Sequence, residues 1–141
     1  MRVLGIDFGE VRIGIAISDP AGKLAVPLTT LSRVSDLDAI AQIQAIVTRE
    51  NIERLVLGEP RNMDGSVGDA AHRIRSFRRK LEDQIPQPCD LVDETLTSVE
   101  ARERLRDAGV DPRRAKERID QVAAQILLEQ YLASGSRGED V

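Results

Sequence analysis

Three acidic residues stand at positions where carboxylates could hold a metal ion. Asp7 closes an apolar run near the N-terminus, Glu94 follows a later apolar run, and Asp120 lies in a segment with helical periodicity. A carboxylate at the rim of a buried sheet costs free energy unless a cation, a hydrogen-bond donor or a ligand satisfies it. Acids that converge from separate elements are the usual ligands of Mg²⁺ or Mn²⁺. Two such ions can activate water for phosphodiester hydrolysis.

The same residues also have purely structural interpretations. Asp93 or Glu94 could cap or terminate a strand, and Asp120 could pair with Lys116 one helical turn earlier. Cys89, on a short apolar strand, is expected to be a core residue rather than a nucleophile. Convergence of the acids is therefore a hypothesis, because contacts between distant positions cannot be read from one sequence.

Strands and helices that alternate along the chain must position these acids. Two Val-, Ile- and Leu-rich runs around Asp7 predict antiparallel strands joined by a tight connection. A turn signal at residues 19–22 precedes a third strand that contains Pro27 and so suits a sheet edge. The later pattern predicts helix, strand, helix, strand, helix, helix. The expected bounds after the first strand are 12–18, 23–31, 35–50, 54–58, 66 or 69 to 84, 89–93, 97–109 and 112–133.

This order predicts an α/β fold with a mixed sheet. A helical crossover makes the strand at 54–58 parallel to the first strand, after an antiparallel meander of three strands. Helices then cover the faces of the sheet. Gly5, Gly9 and Gly14 either let a phosphate or sugar approach the backbone or serve the turn and strand packing. The spacing leaves both readings open.

Length and composition favour one globular domain. The chain has 141 residues, and we expect a domain over 1–134 and a polar, flexible tail over 135–141. Its one cysteine cannot form an internal disulfide, which is typical of a reducing cytoplasm. No apolar run approaches the roughly 20 residues that span a bilayer, and no signal-peptide pattern opens the chain. We therefore expect a cytoplasmic protein without a membrane partner.

Basic residues are concentrated in three segments although the net charge is −4. Most are arginines, and they gather at 73–80, 102–106 and 113–118. Arginine binds phosphate through a planar fork of donors. The alternative is that each cluster is a solvated helix face paired with nearby acids. Aromatic residues make up only 2%, which disfavours base stacking on aromatic rings as the main mode of recognition.

Four motifs in one order resemble the YqgF/RuvX family. They are GIDFGEVRIGIAISD at 5–19, NMDGS at 62–66, DETLTS at 93–98 and, closing the helix of Asp120, ILLEQYL at 126–132. The resemblance covers nearly the whole chain. It implies an RNase H-like fold related to the RuvC resolvases, with a mixed five-stranded sheet flanked by helices.

The resemblance also assigns roles to single residues. It implies that the catalytic and metal-binding acids are Asp7, Glu94 and Asp120, with Asp93 as a possible metal ligand and Mg²⁺ or Mn²⁺ as cofactor. Arg12, within the DFGxxRIG pattern, and Asn62, within NMDGS, would contact the phosphate or sugar of the substrate. Further nucleic-acid contacts are expected from the basic start of the last helix, at Arg113, Arg114 and Lys116.

The implied activity is that of a metal-dependent nuclease that acts on structured RNA. Such a nuclease would process the 5′ end of pre-16S rRNA and interact with ribosomal precursor particles. One alternative is a Holliday junction resolvase on four-way branched DNA. That reading favours a homodimer over a monomer, since two symmetric cuts need two sites. Another alternative is a non-catalytic RNA- or ribosome-associated binding domain.

The chain departs from the family pattern at two positions near the acids. The family usually has an apolar residue at the position of Glu59 and an arginine at the position of Thr95. Loss of that arginine removes a phosphate contact, so we expect an altered substrate preference or rate. We expect Glu59 to be a solvated loop carboxylate.

Overall fold

The structure is a computed structural model that describes residues 1–59, 68–93 and 97–134. Asn62 and Glu94, the 62–66 motif, Thr95 and residues 135–141 lie outside the described residues. The elements run in the predicted order: β1 Val3–Phe8, β2 Arg12–Ser18, β3 Ala25–Ser32, α1 Asp36–Arg49, β4 Arg54–Glu59, α2 Asp69–Gln84, β5 Cys89–Asp93, α3 Thr97–Asp107 and α4 Pro112–Ala133.

The described strands form one mixed sheet in the order β3-β2-β1-β4-β5. β1, β2 and β3 are antiparallel neighbours, while β4 and β5 continue the sheet in parallel on the other side of β1. The predicted α/β fold class is thereby confirmed. Pro27 lies in the edge strand β3, beside a register shift between Ile15 and Ala16 of β2, which fits a residue that cannot donate to the ladder.

Helix termini follow the capping residues in the sequence. The Ser35 side chain accepts a hydrogen bond from the Asp38 backbone N–H at the start of α1. Asp111 caps α4 in the same way, and Pro112 occupies the first turn, where no backbone donor is needed. Gly109, with a φ of 74°, follows the end of α3.

Several element boundaries differ from the prediction by one or two residues, and two of the differences bear on the fold near the site. β3 begins at Ala25 rather than at Lys23, because the Asp19 carboxylate accepts the backbone N–H groups of Lys23 and Leu24 at 2.7 and 2.9 Å and holds both in the turn. β4 continues past residue 58 to include Glu59. Within the described ranges, no helix is long and apolar enough to cross a membrane.

Strand residues alternate between two faces of the sheet. Leu4 and Ile6 of β1 belong to a core cluster with residues of α1 and α2, while Val3 packs in a separate cluster with Leu127 and Leu128 of α4. We call these the α1–α2 face and the α4 face. α3 packs against the outer side of α4 through a third cluster.

Glycine lets α4 lie directly on the sheet. A Cβ atom at Gly5 would lie 3.0 Å from the Leu128 Cβ, and one at Gly14 would overlap the backbone carbonyl of Asp120. Of the two readings of these glycines, the structure supports packing at both positions. The group that approaches them is the helix itself.

Candidate active site

Asp7 lies near the carboxyl end of β1, on the α4 face. It has the same parity along the strand as Val3 and Gly5, and it is half-buried. Its partner across the antiparallel pair is Gly14 of β2. Directly opposed residues of such a pair have Cα atoms only about 5 Å apart. The absence of a side chain at Gly14 therefore leaves room beside Asp7 for another element of the fold.

Asp120 reaches the same place from α4. Gly14, which stands opposite Asp7, is also the residue on which the Asp120 backbone rests. The Asp120 side chain is 22% exposed. The structure thus brings two of the predicted acids, which are 113 positions apart in the sequence, to one strand pair.

Arg12, the first residue of β2, is bound to Asp120. Its Nε–H donates to Oδ2 of Asp120 at 2.9 Å. The alternative that Asp120 pairs with Lys116 is not what the structure has. Arg12 is itself 51% exposed at the side chain, so its guanidinium stands at the mouth of the site while one of its nitrogens orients the carboxylate.

The remaining predicted acids are placed differently. Glu94, like Asn62, lies outside the described residues. Asp93 ends β5 opposite Glu59 and has the parity of Cys89, which belongs to the cluster on the α1–α2 face. Asp93 is therefore directed away from the face that carries Asp7. Among the described residues, no group of three or more Asp, Glu, His or Cys side chains is close enough to hold a metal ion.

Glu59 is not the solvated loop carboxylate that the sequence led us to expect. It is the last residue of β4, is only 2% exposed, and accepts hydrogen bonds from the Nε and Nη2 groups of Arg75 in α2. The expectation was wrong because the strand runs one residue further than predicted, which directs Glu59 to the α1–α2 face. Glu59 thus lies across the sheet from Asp7.

Cys89 is a core residue, as expected. Its thiol is buried in β5, and burial raises its pKa to about 12. At neutral pH it is a neutral thiol and therefore not a nucleophile.

The predicted nucleic-acid contacts at the start of α4 are exposed cations. Arg113, Arg114 and Lys116 are all exposed, and within 1–59, 68–93 and 97–134 none of them forms an ion pair. Arg113 and Lys116 join Arg12 around a depression of about 460 Å³ beside β3. Arg114 is on the same helix but does not line this depression.

Sequence reasoning missed two arginines next to this site. Arg102 and Arg106 of α3 line a cleft that Arg12 and Lys116 also line. Both belong to the basic cluster at 102–106, which the sequence analysis treats as one group together with Arg104. The available signal was their spacing of four residues, which places both on one side of a helix.

Comparison with known proteins agrees with the family resemblance in the sequence. The family model "RuvX: Holliday junction resolvase" matches residues 1–134. A protein of Chloroflexus aggregans named "Putative pre-16S rRNA nuclease" is 45% identical over 130 residues, 92% of each chain. One of the same name from Moorella thermoacetica is 42% identical over 132 residues, 94% of each chain.

A solved structure supports the fold. T. thermophilus RuvC in complex with a Holliday junction substrate has a TM-score of 0.60 to this chain and covers 96% of each chain at 15% sequence identity. At that identity the likeness establishes the fold, which is the RNase H-like arrangement of a mixed five-stranded sheet with flanking helices.

Proposed function

This chain belongs to the RuvX family, and we propose that it is a divalent-metal-dependent phosphodiester nuclease that matures the 5′ end of pre-16S rRNA in the cytoplasm. The observation that carries the proposal is the close contact between the Asp120 backbone and Gly14, because it brings the acid of α4 to the strand pair that holds Asp7. Structured RNA as the substrate is supported by the names of relatives at 45% and 42% identity.

The acids suit a hard divalent cation. Carboxylate oxygens are the ligands that Mg²⁺ and Mn²⁺ prefer, and Asp7 and Asp120 lie on one face of the sheet. We propose that these two residues and Glu94 hold the metal. Glu94 is preferred to Asp93 because strand parity directs Asp93 to the opposite face. When bound, the metal would supply a water of lowered pKa and stabilise negative charge on the leaving oxygen.

Arg12 would position the phosphate to be cut. Its Nε–H is committed to Asp120, whereas its terminal nitrogens have no hydrogen-bond partner in the described part of the chain. A guanidinium can donate two parallel hydrogen bonds to a phosphate. Contacts of this kind fix the backbone of a nucleic acid without reading its sequence. Arg12 therefore aligns the phosphate while holding Asp120 in place.

The exposed cations of α4 would extend this contact along the substrate. Arg113, Arg114 and Lys116 have no carboxylate partner within the described ranges, so their charge is available to neutralise phosphates. Structured RNA is recognised largely by shape and by its backbone. Together with Arg12, these residues form a basic track that leads to the acids.

A second candidate is resolution of four-way DNA junctions. The description of the matching family and the RuvC–junction structure favour it. It predicts a homodimer, since two symmetric cuts need two active sites. A monomer by light scattering at working concentration would count against it.

The test compares a structured precursor-rRNA fragment with a DNA four-way junction, each with Mg²⁺, Mn²⁺ or EDTA. We expect cutting of the RNA with Mg²⁺ or Mn²⁺ and none with EDTA. Cutting of the junction alone would replace the RNA proposal with the resolvase. Cutting of neither, by folded protein that binds RNA equally well with and without metal, would contradict the nuclease and favour a binding domain.

A further inference from the structure

A cleft of about 550 Å³ separates α3 from the first half of α4, next to Arg12. Its volume is in the range of sites that enclose small organic ligands. The cations Arg102, Arg106 and Lys116 line it with Arg12. The rest of the lining is apolar and includes Val110, Ala115 and Ile119, which are partly buried against the cluster between α3 and α4. The cleft thus joins an apolar floor to a basic rim.

Three of the four cations that line the cleft have no ion pair within the described ranges, whereas Arg12 is bound to Asp120. No acidic residue lines the cleft, and Arg102, Arg106 and Lys116 have no carboxylate within 4.0 Å in the part of the chain that the structure describes. Arg104, which lies between the two α3 arginines, contrasts with them because it is bound to Glu100 and Glu129 on the far side of the helix. The cleft is therefore suited to an anion.

A nucleotide combines the two properties that the cleft presents. Its base has an apolar face, which fits the floor, and its phosphate is anionic, which fits the rim. Arg102 and Arg106 share one side of α3 and both line the cleft, so both can donate hydrogen bonds to that phosphate. A base inside a duplex is stacked and paired, so a nucleotide that enters the cleft must be unpaired or extruded.

We propose that the cleft binds one unpaired nucleotide of the RNA substrate beside the phosphate that is cut. The base lies on Val110, Ala115 and Ile119, and its phosphate lies among the rim cations. Arg12 connects the two sites, because it lines the cleft and donates to Asp120. The inference rests on the proposed nuclease function and narrows it: cleavage sites would border an unpaired nucleotide.

The test is a binding measurement in EDTA, so that cleavage does not enter. The probes are fluorescein-labelled RNA hairpins with single-stranded extensions, in which one abasic site is moved along the extension. We expect the abasic site to weaken binding by about fivefold or more at one position, because it removes the apolar contact between the base and the floor of the cleft. At the other positions binding should be unchanged.

Two variants assign that effect to the cleft. Ala115→Leu fills the floor from a half-buried position, and Ile119→Ala removes part of it. Each variant should lose the preference for the intact RNA and bind the intact and the abasic RNA with equal affinity. Circular dichroism melting would establish that both variants are folded. Arg102→Gln should weaken both RNAs by the same factor. Arg79→Gln, which changes an exposed arginine of α2, is the matched control and should leave both affinities unchanged.

Two results would overturn the inference: no position at which an abasic site weakens binding, or an undiminished preference for the intact base in folded Ala115→Leu. Neither result bears on metal-dependent cleavage, which is measured separately. Conversely, loss of the nuclease proposal would leave the binding result standing as evidence for a nucleotide site. The two failures are therefore distinguishable.

Discussion

Two basic helices of this molecule differ in whether their cations are paired within the fold. In α2, four of the five arginine and lysine side chains are bound within the fold: Arg73 to Glu10, Arg75 to Glu59, Arg78 to the Cys89 carbonyl and Lys80 to Asp36. In the first half of α4, the cations form no ion pair within the described ranges. They are Arg113, Arg114, Lys116 and Arg118.

The difference teaches that a cluster of arginines is interpreted by its partners and not by its density. The alternative that each basic segment is paired with nearby acids describes α2 well and fails for α4. α4 also carries Asp120, whereas α2 lies across the sheet from Asp7. Unpaired charge and candidate catalytic acids therefore lie on the same side of the molecule.

The largest effect is expected from Gly14→Ala, which separates α4 from the sheet. The new Cβ would overlap the Asp120 carbonyl, and backbone cannot move aside as a flexible side chain can. We expect the free energy of unfolding to fall by about 3 kcal/mol, which is at the upper end for overpacking. We also expect the folded fraction to lose cleavage, because Asp120 is displaced. Urea unfolding and single-turnover cleavage measure the two effects.

Gly109→Ala is the matched control for that variant. Gly109 has a φ of 74° and nothing within 4 Å of an added Cβ. The change should cost about 1 kcal/mol of backbone strain and leave cleavage intact. Equal loss of cleavage in both glycine variants would contradict a specific role for the Gly14 contact.

The next effect tests the structural role of α2. Arg75→Gln removes the guanidinium that donates to the buried Glu59 carboxylate, and removal of one member of a buried ion pair is strongly destabilising. We expect a clear drop in the urea midpoint with no change in the salt dependence of RNA binding. Arg79→Gln, on the same helix but without an ion pair in the described ranges, should leave the midpoint unchanged. An Arg75→Gln variant with an unchanged urea midpoint and weakened RNA binding would contradict a structural role for the cations of α2.

A smaller effect, on affinity alone, is expected at α4. The double variant Arg113→Gln/Lys116→Gln should weaken RNA binding and reduce the slope of log affinity against log salt by about 1.4 to 1.8, since each neutralised phosphate contributes about 0.7 to 0.9. The double variant Arg73→Gln/Arg79→Gln on α2 removes the same charge and should change the slope little. Equal slopes for the two would show that net charge decides binding, and the proposed basic track would be wrong.

The smallest effect concerns acid stability. Burial by itself would raise the pKa of Asp36, but hydrogen bonds from Lys80 of α2 and from Arg33 outweigh it, and the pKa lies below its usual value of 3.8. A carboxyl with a lowered folded-state pKa stabilises the protein above the unfolded pKa, and this contribution is lost as the pH falls through the folded value.

Asp36→Asn should therefore lower the urea midpoint at about pH 6 and show a smaller further loss than the wild type between about pH 4 and pH 2. Unfolding curves across this range measure the difference. Identical pH profiles for the two proteins would contradict a stabilising interaction between Asp36 and Lys80 of α2.

The fold was largely predictable because each element carries its own local signal. Ser35 and Asp111 cap helices within a few residues, and the Val-, Ile- and Leu-rich runs of β1 and β2 on either side of a short connection predict paired strands. The placement of Asp7 follows from the end of β1. Errors arose where local and tertiary forces compete, as at Glu59, where continuation of β4 and the presence of Arg75 decide burial.

The site was less predictable because its decisive contacts are distant in sequence. The hydrogen bond between Arg12 and Asp120 spans 108 positions, and the seat of α4 on Gly14 depends on how the helix crosses the sheet. Local spacing offered Lys116 as an equally reasonable partner for Asp120. The cleft between α3 and α4 has no local signal, because residues of β2, α3 and α4 line it together.

Single-turnover cleavage of the structured RNA by Asp7→Asn in Mg²⁺ tests the central claim most directly. Asn preserves the shape of the side chain and removes its charge, so the variant should fold and bind RNA as the wild type does, with cleavage reduced by at least about a thousandfold. Asp83→Asn, an exposed acid of α2, should cleave normally. Full cleavage by Asp7→Asn would contradict the account, because the carboxylate at the end of β1 would then have no part in the reaction.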